Sequence, residues 1–420
     1  MKDIAATVTT MPTATDIRAG ITAGDFTAGE VTRASFRRIA ARDKDVRAWI
    51  ALSDTAISTA DAIAHDDPRP LAGVPVGIKD IIDTFDLPTT HNSPIFAGNR
   101  PTRDAPCVAI LRSLGAVIIG KTDTTEFAAA GRDAVTANPH DFARTAGGSS
   151  SGSAAAVADG HVPLALGTQT GGSTIRPGSF NGVFAFKPSW GLVSTEGVKR
   201  YSVSFDTVGW YARSPEDLTL LAKAYALPAV GTAAPEKPRL AYCMTPYADQ
   251  LAPESARALK RFADAHDLQE FTLPDRFKAL DDLHRLVMWT EGAAAFRTLT
   301  LSHPELLHQD FHDRVALKDG QTPRAMFEAY DMLAELRTEF EKLISDLDAL
   351  VVPSAPGYAI AGRSPGNPIF NALWTAMQMP VVNLPVTAAD DPLPIGISLV
   401  GPRASDGRLL SLATALTRRG

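Results

Sequence analysis

Apolar residues recur at helical spacing early in the chain, at Ile17, Ile21, Phe26, Val31, Phe36, Ile39 and Ile50, with good helix formers between them. This spacing predicts N-terminal helices over residues 14–64 that wrap the core. The texture then changes. Short apolar runs at 71–82, 116–120, 162–167 and 183–187 are bounded by Gly or Pro and read as buried strands, with a helical stretch at 105–114. Buried strands alternating with helices over 71–227 predict an α/β fold, a mixed and mainly parallel sheet covered by helices on both faces. Residues 228–238 read as a linker. Helical spacing dominates 253–348, most clearly in the stripe Met326, Tyr330, Leu333, Leu336, Phe340 and Leu343, and this block is expected to cap the sheet. The tail returns to strands at 349–352, 381–386 and 395–400, which most simply rejoin the first sheet. A last helix passes through Leu409 and Thr417 and ends at Gly420. No internal repeat and no low-complexity segment appears. The expectation is therefore one domain over 1–420: N-terminal helices at 1–65, a core at 66–227, a helical insertion at 239–348 and a return to the core sheet at 349–420.

Composition narrows the function classes. At 420 residues, 45% hydrophobic and 21% charged, the chain can bury a large core without metals or disulfides. Its formal charge is −6, from 41 basic and 47 acidic residues, and neither sign gathers into a block. Nothing electrostatic points to nucleic acid or a membrane, which leaves small-molecule chemistry as the default. Cys107 and Cys243 are too few for a disulfide framework or a cysteine zinc site and suit a reducing cytoplasm, although one disulfide stays open. Residues Met1 to Ala6 lack a basic stretch leading into an apolar run, so no secretion signal is read, and no apolar segment is long enough to span a bilayer. Oligomeric state is left open, a homodimer among the alternatives.

Candidate chemistry concentrates between Thr145 and Pro188. The run Gly147, Gly148, Ser149, Ser150, Ser151, Gly152, Ser153 feeds directly into an alanine-rich helix start, where backbone N–H groups are free to bind oxygen. A second run, Thr168, Gln169, Thr170, Gly171, Gly172, Ser173, Thr174, Ile175, Arg176, follows an apolar strand, at a strand end where α/β sheets gather their ligand sites. Two glycines before a serine let the backbone turn its N–H groups toward a substrate oxygen. Either run alone reads as a flexible linker, but both are embedded in strand and helix patterns, 24 residues apart from Ser149 to Ser173. Lys79, in Gly77-Ile78-Lys79-Asp80, closes a third apolar run. By itself it is an ordinary solvated strand cap. The histidines His303, His308 and His312, with Asp310, read as a surface helix and not as a metal site, and Lys121, Thr122, Asp123 and Glu126 read as loop braces.

Taken together, the lysine motif, the serine cluster and the Gly-Gly-Ser loop resemble the amidase signature family, strongly over 71–217 and moderately over the last 70 or so residues. The resemblance implies that Lys79 is the base, Ser149 a serine in a cis peptide that relays protons, and Ser173 the nucleophile. It further implies an oxyanion hole from the N–H groups of Thr170, Gly171, Gly172 and Ser173, supporting contacts from Ser150 and Ser151, and no metal or cofactor. The proton taken from Ser173 through Ser149 would return by the same path to the leaving nitrogen, after an acyl-enzyme intermediate. Two departures matter. Gln169 stands where the family commonly has Asp, and the arginine comes one position later, at Arg176; malonamidase-like small amidases share this form. Arg176 either clamps a substrate carboxylate, with Gln169 beside it, or braces the fold. Ser151 replaces a glycine of the serine cluster. The expected function is hydrolysis of a small amide, carbamate or urea-type bond. The alternatives are a glutaminase-type A subunit of a tRNA-dependent amidotransferase and a catalytically dead binding module, the latter disfavoured because all three reacting positions are present.

Overall fold

The computed structural model describes residues 11–388 and 390–418; the first six residues, read above for a leader, and Gly420, read as the end of the last helix, lie outside them. Strands occur in the order β1 (Trp49–Leu52), β2 (Pro75–Lys79), β3 (Val117–Thr122), β4 (Ala137–Asn138), β5 (Asp141–Thr145), β6 (Leu164–Gln169) and β7 (Phe184–Lys187). They continue with β8 (Thr207–Ala212), β9 (Leu240–Tyr242), β10 (Gln269–Glu270), β11 (Ala349–Pro353), β12 (Val381–Pro385) and β13 (Gly396–Val400). β4 and β5 form a separate two-stranded sheet; the other eleven form one sheet in the order β1-β3-β2-β6-β8-β7-β12-β13-β11-β9-β10. The sheet is mixed. Parallel pairing is gathered in two groups, β3-β2-β6 and β11-β9-β10, and the strands between and beside them pair antiparallel. Antiparallel pairing in the middle follows from short returns such as the one between β12 and β13, which leave no room for a helical crossover.

Successive strand residues face opposite sides of a sheet. Every position of β2, β3, β6, β8, β11 and β13 is buried, so helices cover both faces. Polar residues set where those helices begin. Thr27 and Glu30 form a reciprocal capping box for the helix Ala28–Val46, and the Ser214 side chain accepts from the Asp217 N–H ahead of the helix Pro215–Ala224. The tail strands do rejoin the core, because β12 pairs with β7.

Three element assignments differ from the sequence reading. Residues 49–52 are not helical: Arg47 adopts a left-handed φ of 54° that stops the preceding helix, and Trp49 to Leu52 pair with β3 at the sheet edge, which leaves Ile50 39% exposed. β8, a central strand buried at every position, was not among the apolar runs read from the sequence. The helical block contains β10, and β9 follows the linker; both extend the sheet beyond β11. Within the long helix Pro323–Leu343, Leu333, Leu336 and Phe340 are buried as the stripe predicts, whereas Leu343 is 38% exposed. Cys107 and Cys243 are buried free thiols, and no described helix is long and apolar enough to cross a membrane.

Candidate active site

β2 and β6 lie side by side and parallel, with Ile78 opposite Leu166, so Lys79 and the Thr168-Gln169 end of β6 emerge on the same sheet edge. The helix Ser151–Ala158 packs beneath them. Its Ser153 hydroxyl lies 2.6 Å from Thr122 Oγ1 and donates to the Leu166 carbonyl at 2.8 Å, tying the serine cluster to both β3 and β6. Gly147, with φ of 75°, makes the turn that brings Ser149 and Ser150 over the strand ends, and the Gly148–Ser149 peptide is cis.

Lys79 is fully buried, and its Nζ lies 2.7 Å from Ser149 Oγ, 2.9 Å from Ser150 Oγ and 2.8 Å from Thr168 Oγ1. No carboxylate contacts it among the described residues. Desolvation therefore holds its pKa well below the usual lysine value, opposed only by the charge of Asp206 farther away. Ser150 is committed locally: its hydroxyl donates to the Thr168 carbonyl at 3.1 Å and accepts from the Thr168 N–H at 3.2 Å.

Ser173 is buried just before the helix Ile175–Asn181, and its carbonyl accepts from the Tyr211 hydroxyl at 3.2 Å. Its own hydroxyl makes no hydrogen bond among the described residues. The predicted constellation is thus joined at the Lys79-Ser149 end, while the Ser149-to-Ser173 link is not closed by a hydrogen bond. The N–H groups of Thr170, Gly171, Gly172 and Ser173 likewise donate to no protein acceptor among the described residues. Ser151 starts the helix below and is buried.

Gln169 is engaged with the protein on both ends of its amide. It is fully buried; its Oε1 accepts from the N–H groups of Thr174 and Ile175 at 2.9 and 3.0 Å, and its Nε2 donates to Thr375 Oγ1 at 3.0 Å. Arg176 is divided. Its Nε donates to the Pro365 carbonyl and its Nη2 to the Gly148 carbonyl, both at 2.6 Å, which braces the residue before Ser149. Its buried Nη1 has no hydrogen-bond partner among the described residues and would lie 2.9 Å from a Cβ at Gly172, in the Gly-Gly-Ser loop. Burial without a carboxylate partner lowers its pKa to about 10.

Several residues escaped the sequence reading. Thr168, third partner of Lys79, sits inside the motif already singled out and could have been noticed as a hydroxyl closing a buried strand. Asp206 accepts from the Thr170 hydroxyl at 2.6 Å and from the N–H groups of Tyr201 and Ser202 at 2.7 and 3.0 Å; burial pushes its pKa up to about 7. His284 comes from the helical block, with Nε2 2.8 Å from the Thr170 carbonyl oxygen, and nothing local marked it. The expected loop braces are as read: Lys121 donates to the Ile82 carbonyl, Asp123 accepts from the Val135 and Thr136 N–H groups, and Glu126 pairs with Arg132. His312 is engaged with the Pro304 carbonyl, and His308 caps its helix by accepting from the Asp310 N–H.

The model of the family described as Amidase matches residues 30–410. The chain belongs to the amidase family. Members of this family act on carbon–nitrogen amide bonds, and so does this enzyme. Among its relatives, the A subunit of the glutamyl-tRNA(Gln) amidotransferase from Chloroflexus aurantiacus is 31% identical, over 97% of this chain and 96% of that protein. The native peptide amidase of Stenotrophomonas maltophilia superposes with a TM-score of 0.82 at 28% identity, covering 97% of this amidase and 96% of that chain. A structure described as a vestigial complex revealing the origins of an s-triazine catabolic enzyme superposes at 0.89 with 26% identity, covering 97% and 99%.

Proposed function

We propose that this amidase is a free-standing hydrolase of a small amide, acting through Ser173 as nucleophile, Ser149 as proton relay and Lys79 as base. The observation that carries the proposal is a buried lysine ringed by three hydroxyls. A neutral amine has two N–H donors and one lone pair. Ser150 spends its proton on the Thr168 carbonyl, so it accepts from Lys79; Thr168 takes the second N–H, and the lone pair is left for the proton of Ser149. Once Ser149 has given its proton to Lys79 it can take the one from Ser173, which attacks the carbonyl and forms an acyl-enzyme. Reversal of the same path protonates the leaving nitrogen. The unengaged N–H groups from Thr170 to Ser173 would receive the oxyanion, and the unpartnered Arg176 Nη1 favours a substrate bearing a carboxylate.

The test is a panel of malonamate, acetamide, acetanilide, a methyl carbamate and a urea, assayed with wild type, Ser173→Ala and Arg176→Ala. Ser173→Ala is expected to abolish turnover throughout, and Arg176→Ala to lose malonamate selectively. Turnover by Ser173→Ala at the wild-type rate would overturn the nucleophile assignment, and a uniform effect of Arg176→Ala would remove the clamp.

The full-length similarity to the A subunits of amidotransferases favours a second reading, a glutaminase-type component serving a partner. Stable co-purification with partner proteins and charged-tRNA dependence would establish it. Amide hydrolysis by the isolated chain would establish the first.

A further inference from the structure

Four consecutive carbonyls of the nucleophile loop are each held by a different donor. The Thr170 carbonyl is 2.8 Å from His284 Nε2, the Gly171 carbonyl accepts from Thr375 Oγ1 at 2.8 Å, the Gly172 carbonyl accepts from the Arg176 N–H at 3.0 Å, and the Ser173 carbonyl accepts from the Tyr211 hydroxyl at 3.2 Å. Since a carbonyl oxygen only accepts, His284 presents Nε2–H. Its imidazole is fully buried, stacked on Phe205 with ring centroids 4.7 Å apart, and held neutral by a pKa lowered to about 4. Thr375 accepts from Gln169 Nε2 at 3.0 Å, and its own proton faces two carbonyls, with Gly171 at 2.8 Å the nearer and Asn371 on its own helix at 3.2 Å.

The peptides in this loop are trans, the one cis bond among the described residues being Gly148–Ser149. In a planar trans peptide the C=O and the N–H of the next residue point in opposite directions. Anchoring the Thr170 oxygen on His284 therefore turns the Gly171 N–H away from His284, and anchoring the Gly171 oxygen on Thr375 does the same for the Gly172 N–H. Without these two anchors a Gly-Gly pair has the freest backbone available and its peptides would rotate.

We infer that His284 and Thr375 are positioning residues that aim the Gly171 and Gly172 N–H groups at the oxyanion, from a helix of the insertion and a helix of the C-terminal return. This rests on the reading of Ser173 as the nucleophile. Oxyanion contacts tighten as the tetrahedral intermediate forms, so misaiming them lowers kcat with little change in KM.

The experiment measures kcat, KM and melting temperature for His284→Phe, His284→Gln, Thr375→Val and Thr375→Ser in the full chain. The substrate is whichever of malonamate, acetamide and acetanilide the wild type turns over fastest. His284→Phe and Thr375→Val are expected to lose about 10- to 100-fold in kcat with KM within about threefold, while His284→Gln and Thr375→Ser, which keep a donor, recover most of the rate. A kcat near wild type in folded His284→Phe and Thr375→Val, or conservative variants no better than the donor-less ones, would overturn the inference. Should His284→Phe fail to fold, the near-isosteric Thr375→Val and Thr375→Ser pair decides it. Ser173→Ala, assayed alongside, separates the two levels: an inactive Ser173→Ala with an unaffected His284→Phe sinks only the positioning role, whereas an active Ser173→Ala sinks the nucleophile reading itself.

Discussion

Lysine in water holds its proton to about pH 10.4, and hydroxyl groups return far less stabilisation to an ammonium than bulk solvent does. At Lys79 burial depresses the folded pKa, so the neutral amine is more accessible than in a solvated lysine, and the acidic limb of kcat/KM belongs well below the free-lysine value. Activity should fall as pH drops through that limb, because protonation removes the lone pair. Lys79→Ala should lose on the order of 10³-fold at neutral pH and recover in part under alkaline conditions, where hydroxide substitutes for the base, as a pH–rate profile would show. Ser149→Ala should slow amides more than activated esters, since alkoxide leaving groups need less protonation; equal losses on both would remove the relay role. At this scale the sequence offered Lys79, Ser149 and Ser173 through the motifs that carry the family resemblance. It was silent on His284 and Thr375, whose contacts with the loop come from segments more than a hundred residues away and leave no local pattern.

Burial accounts for part of which elements were legible. β2, β3 and β6 are buried at every position and read as apolar runs, whereas β1 is half exposed and was read as helix; β8 is buried as fully as the first three, and burial does not account for its being missed. One contact between elements invites a direct measurement. Asp217, at the start of the helix Pro215–Ala224, accepts from the Ala14 and Thr15 N–H groups at 2.7 and 3.0 Å and from the Thr15 hydroxyl at 2.8 Å, satisfying the first turn of the helix Ala14–Ala23. Asp217→Ala would strand the buried Ala14 N–H, while the donors of the exposed Thr15 turn to water. A loss of about 1–3 kcal/mol in urea denaturation is expected, with earlier proteolysis near residue 14. Unchanged stability would mean that water replaces the carboxylate.

On the scale of the molecule, the helical insertion and the core share one sheet through β9, β10 and β11. We therefore expect a single cooperative calorimetric transition, and deletion of 239–348 should give insoluble protein, because β11 would lose its neighbour β9 and expose a long apolar edge. Two resolved transitions would show that the insertion melts as an independent unit. The overall α/β plan was readable from alternating strand and helix textures, while strand order was not, because β7 pairs with β12 across almost two hundred residues.

That long-range pairing is also expected to set when the enzyme becomes competent during synthesis. Lys79, Ser149 and Ser173 all leave the ribosome before the segment carrying Thr375 and β12 exists, so a nascent polypeptide arrested near residue 350 would own all three proposed reacting groups and still lack the Thr375 bond to the Gly171 carbonyl. Hydrolysis should switch on late in translation, when the final strands dock.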